Sequence, residues 1–211
     1  MDPANWRTYL VTQESRSTGR PTTEIVDAAI AGGIDAVQLR EKHTSVRERY
    51  ELGRRVREQT AEAGVPLIVN DRVDLAAVID ADGVHLGQSD LPVTAARDLL
   101  GPDALVGCSA ATVTEARTAV ADGADYLGVG SVYPTDSKAV PDEEQGIGTD
   151  RVGAIADAVP VPVIGIGGIT PANAGAVTAA GAAGVAVMSA ITAAEGPRAA
   201  TAALREAVAD A

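Results

Sequence analysis

The sequence predicts an α/β protein, a single (β/α)8 barrel of the TIM type, on three observations. Short apolar runs of β-type residues alternate with longer, alanine-rich helical segments from one end of the chain to the other. The runs are apolar almost without interruption, as strands buried on both faces of a parallel sheet are. Eight such units are present, each opening on its strand. That number suits a closed barrel with right-handed crossovers better than an open, flavodoxin-like sheet, which needs only about five or six strands.

The strands are expected at 8–12, 36–40, 66–70, 83–87, 105–109, 126–130, 162–167 and 184–188. Runs such as Leu67-Ile68-Val69 and Val163-Ile164-Gly165-Ile166 carry the signal. Helices lie between them, with apolar positions spaced for one buried face, as in Val46, Tyr50, Gly53 and Val56. Residues 1–211 are expected to form one catalytic domain, near the small end for this architecture. Two stretches are too polar for packing alone: Gln13 to Arg20 after the first strand, and Pro134 to Gly148 after the sixth. Loops of that length in a compact α/β unit are candidate lids.

Composition narrows the function. A hydrophobic content of 46% is that of a packed globular chain. No apolar run approaches the roughly 18–20 residues of a membrane span, and the first residues lack a secretory pattern. With one cysteine, Cys108, there is no internal disulfide, and the expected compartment is the cytoplasm. A net charge of −12 repels nucleic acid and acidic membranes, so the expected partners are small-molecule substrates. A homo-oligomer is compatible with the sequence. Among the 17 cationic residues only Lys42 and Lys138 are lysines. An acidic, lysine-poor surface is expected of a protein adapted to high salt.

Barrels of this class build their sites at the C-terminal strand ends. The second strand runs into Gln38-Leu39-Arg40-Glu41-Lys42, and alternation sets Gln38, Arg40 and Lys42 on one side. Three donors aimed together suit an anion, with Arg forked toward phosphate oxygens. The third strand ends in Asn70-Asp71, and the fourth leads through Gly87-Gln88-Ser89 to Asp90. Two aspartates leaving adjacent parallel strands can share a Mg²⁺ ion, which takes one or two carboxylates and fills its other positions with water and phosphate. Singly, each aspartate could equally cap the following helix.

Ser109, at the end of the fifth strand, can hydrogen-bond a head group, whereas Cys108 reads as a small buried apolar residue. His85, inside an apolar strand, reads as structural, and His43 has no evident role. After the sixth strand come Thr135, Asp136, Ser137 and Lys138 on a turn. The seventh gives Gly167-Gly168-Ile169-Thr170 and the eighth Met188-Ser189-Ala190, where backbone N–H groups can approach a phosphate. Two anion subsites follow: one cationic with a metal, sufficient for a diphosphate, the other mainly neutral, sufficient for a monophosphate.

Taken together and in this order, these motifs resemble the thiamine-phosphate synthase (thiamine-phosphate pyrophosphorylase) family over nearly the whole chain. The resemblance implies a Mg²⁺-dependent transferase that joins 4-amino-2-methyl-5-(diphosphomethyl)pyrimidine to a hydroxyethylthiazole phosphate and releases diphosphate. It implies that Gln38, Leu39, Arg40, Glu41, Lys42, Asn70, Ser109 and Lys138 hold the pyrimidine diphosphate, and that Asp71 and Asp90 hold the metal. Thr135, Asp136, Ser137, Gly168, Met188 and Ser189 would face the thiazole phosphate, and Arg40, Lys42, Ser109 and Lys138 would serve catalysis. The chain departs from the family at Ala111, where relatives often carry His, at Gly130-Ser131, where they often carry Gly-Pro, and at Ser137 in place of Thr. The competing readings are a thiazole tautomerase-like barrel, a phosphosugar isomerase or epimerase, and a non-catalytic phosphate-binding barrel. The first would not need two aspartates together with Lys42 and Lys138, and the second would want a base poised near neutrality.

Overall fold

The computed structural model describes residues 2–136 and 146–209. Eight parallel strands close on themselves in sequence order: β1 (Thr8–Val11), β2 (Ala36–Leu39), β3 (Leu67–Asn70), β4 (Gly83–Leu86), β5 (Leu105–Ala110), β6 (Tyr126–Val129), β7 (Val163–Ile166) and β8 (Gly184–Val187). Closure comes from β8 pairing with β1, with Leu10 opposite Val187. The helices are α1 (Thr22–Ala31), α2 (Val46–Ala63), α3 (Val73–Val78), α4 (Val93–Leu100), α5 (Val113–Ala121), α6 (Gly148–Ala156), α7 (Pro171–Ala179), α8 (Ser189–Thr192) and α9 (Pro197–Ala209). The TIM barrel read from the sequence is therefore present. Most strands end about a residue short of the expected limits because the last residue turns into the loop, while β5 runs on to Ala110.

Alternation divides the core in two. Leu10, Val37, Leu39, Leu67, Val69 and Leu86 point outward and pack with the helices. Tyr9, Val11, Ala36, Ile68, Tyr126, Ile164 and Ala186 point into the barrel, with Trp6 and Met188. Trp6, Tyr9 and Tyr126 form an aromatic cluster inside, with ring centroids 5.1 to 6.2 Å apart in tilted and edge-on pairs. Two inward positions carry glycine to make room. A Cβ at Gly107 would lie 2.2 Å from the Tyr126 ring, and one at Gly128 would lie 2.9 Å from the His85 ring. These glycines let two large polar rings cross the interior.

The N-terminal end of the barrel is clamped by a recurring device. Asp35, Asp82 and Asp125 each precede an even-numbered strand and accept a backbone N–H from the start of the strand before it: Thr8 at 2.8 Å, Leu67 at 2.8 Å and Val106 at 2.7 Å. Each aspartate is also held by an arginine, Arg205 at 2.7 Å, Arg57 at 3.0 Å and Arg97 at 2.6 Å respectively. The fourth place, before β8, has Ala183, whose carbonyl accepts instead from Arg7 at 3.0 Å.

Helix ends are set by local chemistry. Ser45 with Glu48 and Thr112 with Glu115 form capping boxes on α2 and α5. On α2, Gly53 and Val56 are buried and Tyr50 packs at the edge of the core, but Val46 is 52% exposed in the first turn, short of the buried stripe. Among the described residues, no helix is long and apolar enough to cross a membrane.

Residues 13–20, read as a candidate lid, are fastened along their length. One turn of 3₁₀ helix, Glu14–Arg16, occupies the segment. The Arg16 carbonyl accepts from Thr192 Oγ1 at 3.0 Å. Arg20 donates to the carbonyls of Thr192 and Ala194, at and just past the end of α8, at 3.1 and 2.5 Å. Most of the second candidate lid, 134–148, lies outside the described residues.

Candidate active site

A cavity of about 750 Å³ occupies the inside of the barrel and the C-terminal strand ends, and it gathers most of the sequence-derived candidates. Gln38, Arg40, Lys42, Asn70, Asp71 and Asp90 line it on the β2–β4 side, with Ser109 from β5. Thr135, Gly168, Met188 and Ser189 line the opposite side. Three candidates do not reach it. Leu39 alternates outward into the helix-side core. Glu41 also turns away; it is 3% exposed and accepts from Glu14 N and Thr22 Oγ1, both at 2.9 Å. Asp136 offers its carbonyl to Arg16 at 2.6 Å and stands outside the lining. Ser137 and Lys138 lie outside the described residues.

On the β2–β4 side the polar groups interlock. Lys42 Nζ lies 2.9 Å from Asp71 Oδ2, and Asn70 Nδ2 donates to Asp71 Oδ1 at 2.6 Å. Asp71 sits at φ 63°, a left-handed conformation that Asp tolerates better than most residues, and its N–H donates to the His85 carbonyl at 2.9 Å. Asp90 accepts from Gly87 N at 2.7 Å, three residues back along a chain that turns on itself after β4. Its carboxyl is raised from the usual range, first by burial and then by the neighbouring Asp71 carboxyl. Arg40 is lowered by burial, against the opposing pull of Asp71 and Glu41.

Two neighbouring carboxyls, with Asp71 disfavouring the ionisation of Asp90 and Lys42 opposing it, form a donor set suited to a hard divalent ion. The described residues hold no group of three or more potential metal-ligating side chains. A pair of aspartates fits Mg²⁺, which keeps several waters and takes phosphate oxygens.

The floor of the cavity was missed by the sequence reading. His85, taken there as structural, points inward, with Nδ1 3.1 Å from Tyr126 Oη and Nε2 3.0 Å from Ser109 Oγ. Tyr126 Oη lies 3.1 Å from Tyr9 Oη, which accepts from Gln38 Nε2 at 2.9 Å. With Gln38 donating, the order that pairs every buried hydroxyl hydrogen runs Tyr9 to Tyr126, Tyr126 to His85 Nδ1, and His85 Nε2–H to Ser109. Ser109 then keeps its own O–H to offer a ligand. Burial pushes the Tyr9 and Tyr126 phenols far above their ordinary range, so both remain neutral donors. The inward parity of Tyr9, His85, Ser109 and Tyr126, with glycines at the neighbouring inward positions, is the signal that would have found this floor. Cys108 is buried outside the barrel and its thiol is pushed up to about 11, first by burial, which fits an inert packing residue.

The β7–β8 side offers backbone rather than charge. Gly168 takes φ 63°, and a Cβ there would come within 2.7 Å of Tyr133 Cβ, so only glycine fits this turn. Asn173 holds it, donating from Nδ2 to the Gly168 carbonyl at 3.1 Å. Ser189 opens the short α8, which follows β8 directly.

The family model described as thiamine monophosphate synthase matches residues 8–191. Thiamine-phosphate synthase of Haloquadratum walsbyi is 65% identical over 195 residues, 92% of this chain and 87% of that protein. The protein of the same name from Haloarcula marismortui is 60% identical over 205 residues, 97% of each chain. The solved thiamine phosphate pyrophosphorylase of Pyrococcus furiosus superposes with a TM-score of 0.88 at 39% identity, covering 98% of both chains. A solved 3-hexulose-6-phosphate synthase, with a TM-score of 0.70 at 20% identity, shares the barrel alone. With a family model spanning most of its length and relatives this similar end to end, the chain belongs to the thiamine-phosphate synthase family of transferases.

Proposed function

We propose that the protein joins 4-amino-2-methyl-5-(diphosphomethyl)pyrimidine to a hydroxyethylthiazole phosphate, giving thiamine phosphate and diphosphate. The observation that carries this reading is the pairing of two unlike anion sites on one cavity. Charged groups and two aspartates stand on β2–β4, and glycine and hydroxyl groups stand on β7–β8. A diphosphate and a monophosphate can then lie at opposite sides, with their reacting carbon and nitrogen between them.

In this reading Arg40 and Lys42 bind the diphosphate, and Asp71 and Asp90 would hold Mg²⁺. Bound there, Mg²⁺ would supply positive charge that makes diphosphate a better leaving group. Gln38 and Ser109 orient the pyrimidine over the floor formed by Tyr9, His85 and Tyr126. The bond between the methylene carbon and the diphosphate oxygen breaks, the oxygen keeping the electron pair. The pyrimidine amino group stabilises the methylene cation, and the thiazole nitrogen attacks it to form the new C–N bond. Ser189, Thr135 and the Gly168 backbone hold the thiazole phosphate. Lys138, outside the described residues, is assigned a second ammonium for the diphosphate by the family resemblance alone. The protein contributes charge stabilisation and positioning, with one well-aimed donor worth about 3–4 kcal/mol.

Supplying the thiazole phosphate alone, and then with the pyrimidine diphosphate, tests the assignment. Thiamine phosphate should form only with both. Isomerisation of the thiazole phosphate on its own, with no coupled product, would replace this reading with that of a tautomerase.

A further inference from the structure

Arg40 is held from behind by a residue that does not touch the cavity. Gln13, two residues past the end of β1, is 6% exposed and absent from the cavity lining. Its Oε1 accepts from Arg40 Nη1, and its Nε2 donates to Ser15 Oγ at 3.0 Å. Next to it, Thr12 Oγ1 accepts from the Arg40 backbone N–H at 3.1 Å. The two residues after β1 thus grip Arg40 at both its backbone and its guanidinium.

The chemical type of the grip matters. A carboxylate could also orient the half-buried Arg40, but it would cancel the charge that an anionic ligand needs. Arg40 and Lys42 act at this end of the cavity against the carboxyls of Asp71, Asp90 and Glu41. A further carboxylate on Arg40 would set more negative charge against a diphosphate. An amide oxygen accepts the same hydrogen bond and adds no charge.

We propose that Gln13 is a positioning residue for the diphosphate end of the cavity: its uncharged amide fixes the Arg40 guanidinium while leaving the guanidinium's charge for the ligand. This rests on the diphosphate assignment above.

The test is calorimetric titration of inorganic diphosphate, with Mg²⁺, into the wild-type protein and the variants Gln13→Glu and Gln13→Leu. Melting temperatures and steady-state kinetics on both substrates accompany it. Gln13→Glu is isosteric, keeps the bond to Arg40, and can accept from the Ser15 hydroxyl, so a purely structural role predicts wild-type behaviour. The expected result is diphosphate binding weakened about tenfold or more in Gln13→Glu, because the Arg40 charge is then matched locally. KM for the pyrimidine diphosphate should rise in parallel, with KM for the thiazole phosphate unchanged. Gln13→Leu, which adds no charge, should also bind diphosphate more weakly, because Arg40 loses its anchor. It keeps the proposal falsifiable if the Glu variant does not fold. Diphosphate binding in Gln13→Glu as tight as in the wild type, or a Gln13→Leu variant indistinguishable from wild type, would overturn the role of Gln13 alone. A wild-type protein that binds no diphosphate would overturn the diphosphate assignment as well.

Discussion

Asp71 and Asp90 show how much a single side chain can decide here. Asn tolerates the left-handed backbone at position 71, and its oxygen at position 90 can still accept from Gly87 N. Asp71→Asn and Asp90→Asn should therefore fold, yet lower turnover by about a hundredfold or more through loss of the metal. Near-normal turnover at ordinary Mg²⁺ in either would reject a shared metal. Asp90 carries a second expectation. Its carboxyl is raised, so it favours the fold only at low pH, and that contribution is lost as pH rises through the raised value. Without Mg²⁺, Asp90→Asn should melt higher than wild type near neutral pH and lose that advantage in acid. Lys42→Arg tests shape against charge. A compact ammonium 2.9 Å from Asp71 also fits among phosphate oxygens and metal waters, where a planar guanidinium needs a fixed fork. Severe impairment is expected in Lys42→Arg and in Lys138→Arg, and wild-type kinetics in both would show the two lysines to be accidents of composition. At this scale the sequence was legible where donors crowd strand ends, as at Arg40, Lys42 and Asp71. It was not legible where a residue's role depends on the direction it faces. Glu41 sits among ligand-type residues but turns to Thr22 and Glu14, and His85 sits in an apolar run but turns inward.

Among the elements, all eight strands could be read because each is a continuous apolar run bounded by polar or glycine turns, a pattern that survives without knowledge of neighbours. Their pairing devices could not. Asp35, Asp82 and Asp125 look like ordinary loop aspartates until the closed barrel brings each to the start of the preceding strand. The same holds for Gly107 and Gly128, whose function is to admit rings from other strands. Asp82→Ala and Asp125→Ala should each destabilise the fold by about 1–3 kcal/mol, since each leaves a strand N–H without its acceptor and an arginine without its carboxylate. Denaturant melts with turnover measured below the transition check this. A loss of activity without loss of stability would contradict a role confined to the clamp.

On the scale of the whole molecule, net charge sets the conditions under which these parts work. The chain carries −12 and only two lysines. Self-repulsion at low ionic strength should weaken the fold, and roughly molar salt, which shortens the screening length to about 3 Å, should restore it. Melting temperature is expected to climb with KCl, and a flat or falling curve would reject salt adaptation. The barrel also brings together what the chain keeps far apart, a charged side from β2–β4 and a neutral side from β7–β8, over one floor of tyrosine and histidine. The most direct measurement is product stoichiometry in a reaction with both substrates and Mg²⁺, followed by chromatography of thiamine phosphate and assay of released diphosphate. Equal amounts of the two products, absent when either substrate is omitted and suppressed by a chelator, are predicted. Diphosphate release without thiamine phosphate, or coupling that is indifferent to the chelator, would contradict a cavity built to join the two substrates around a metal.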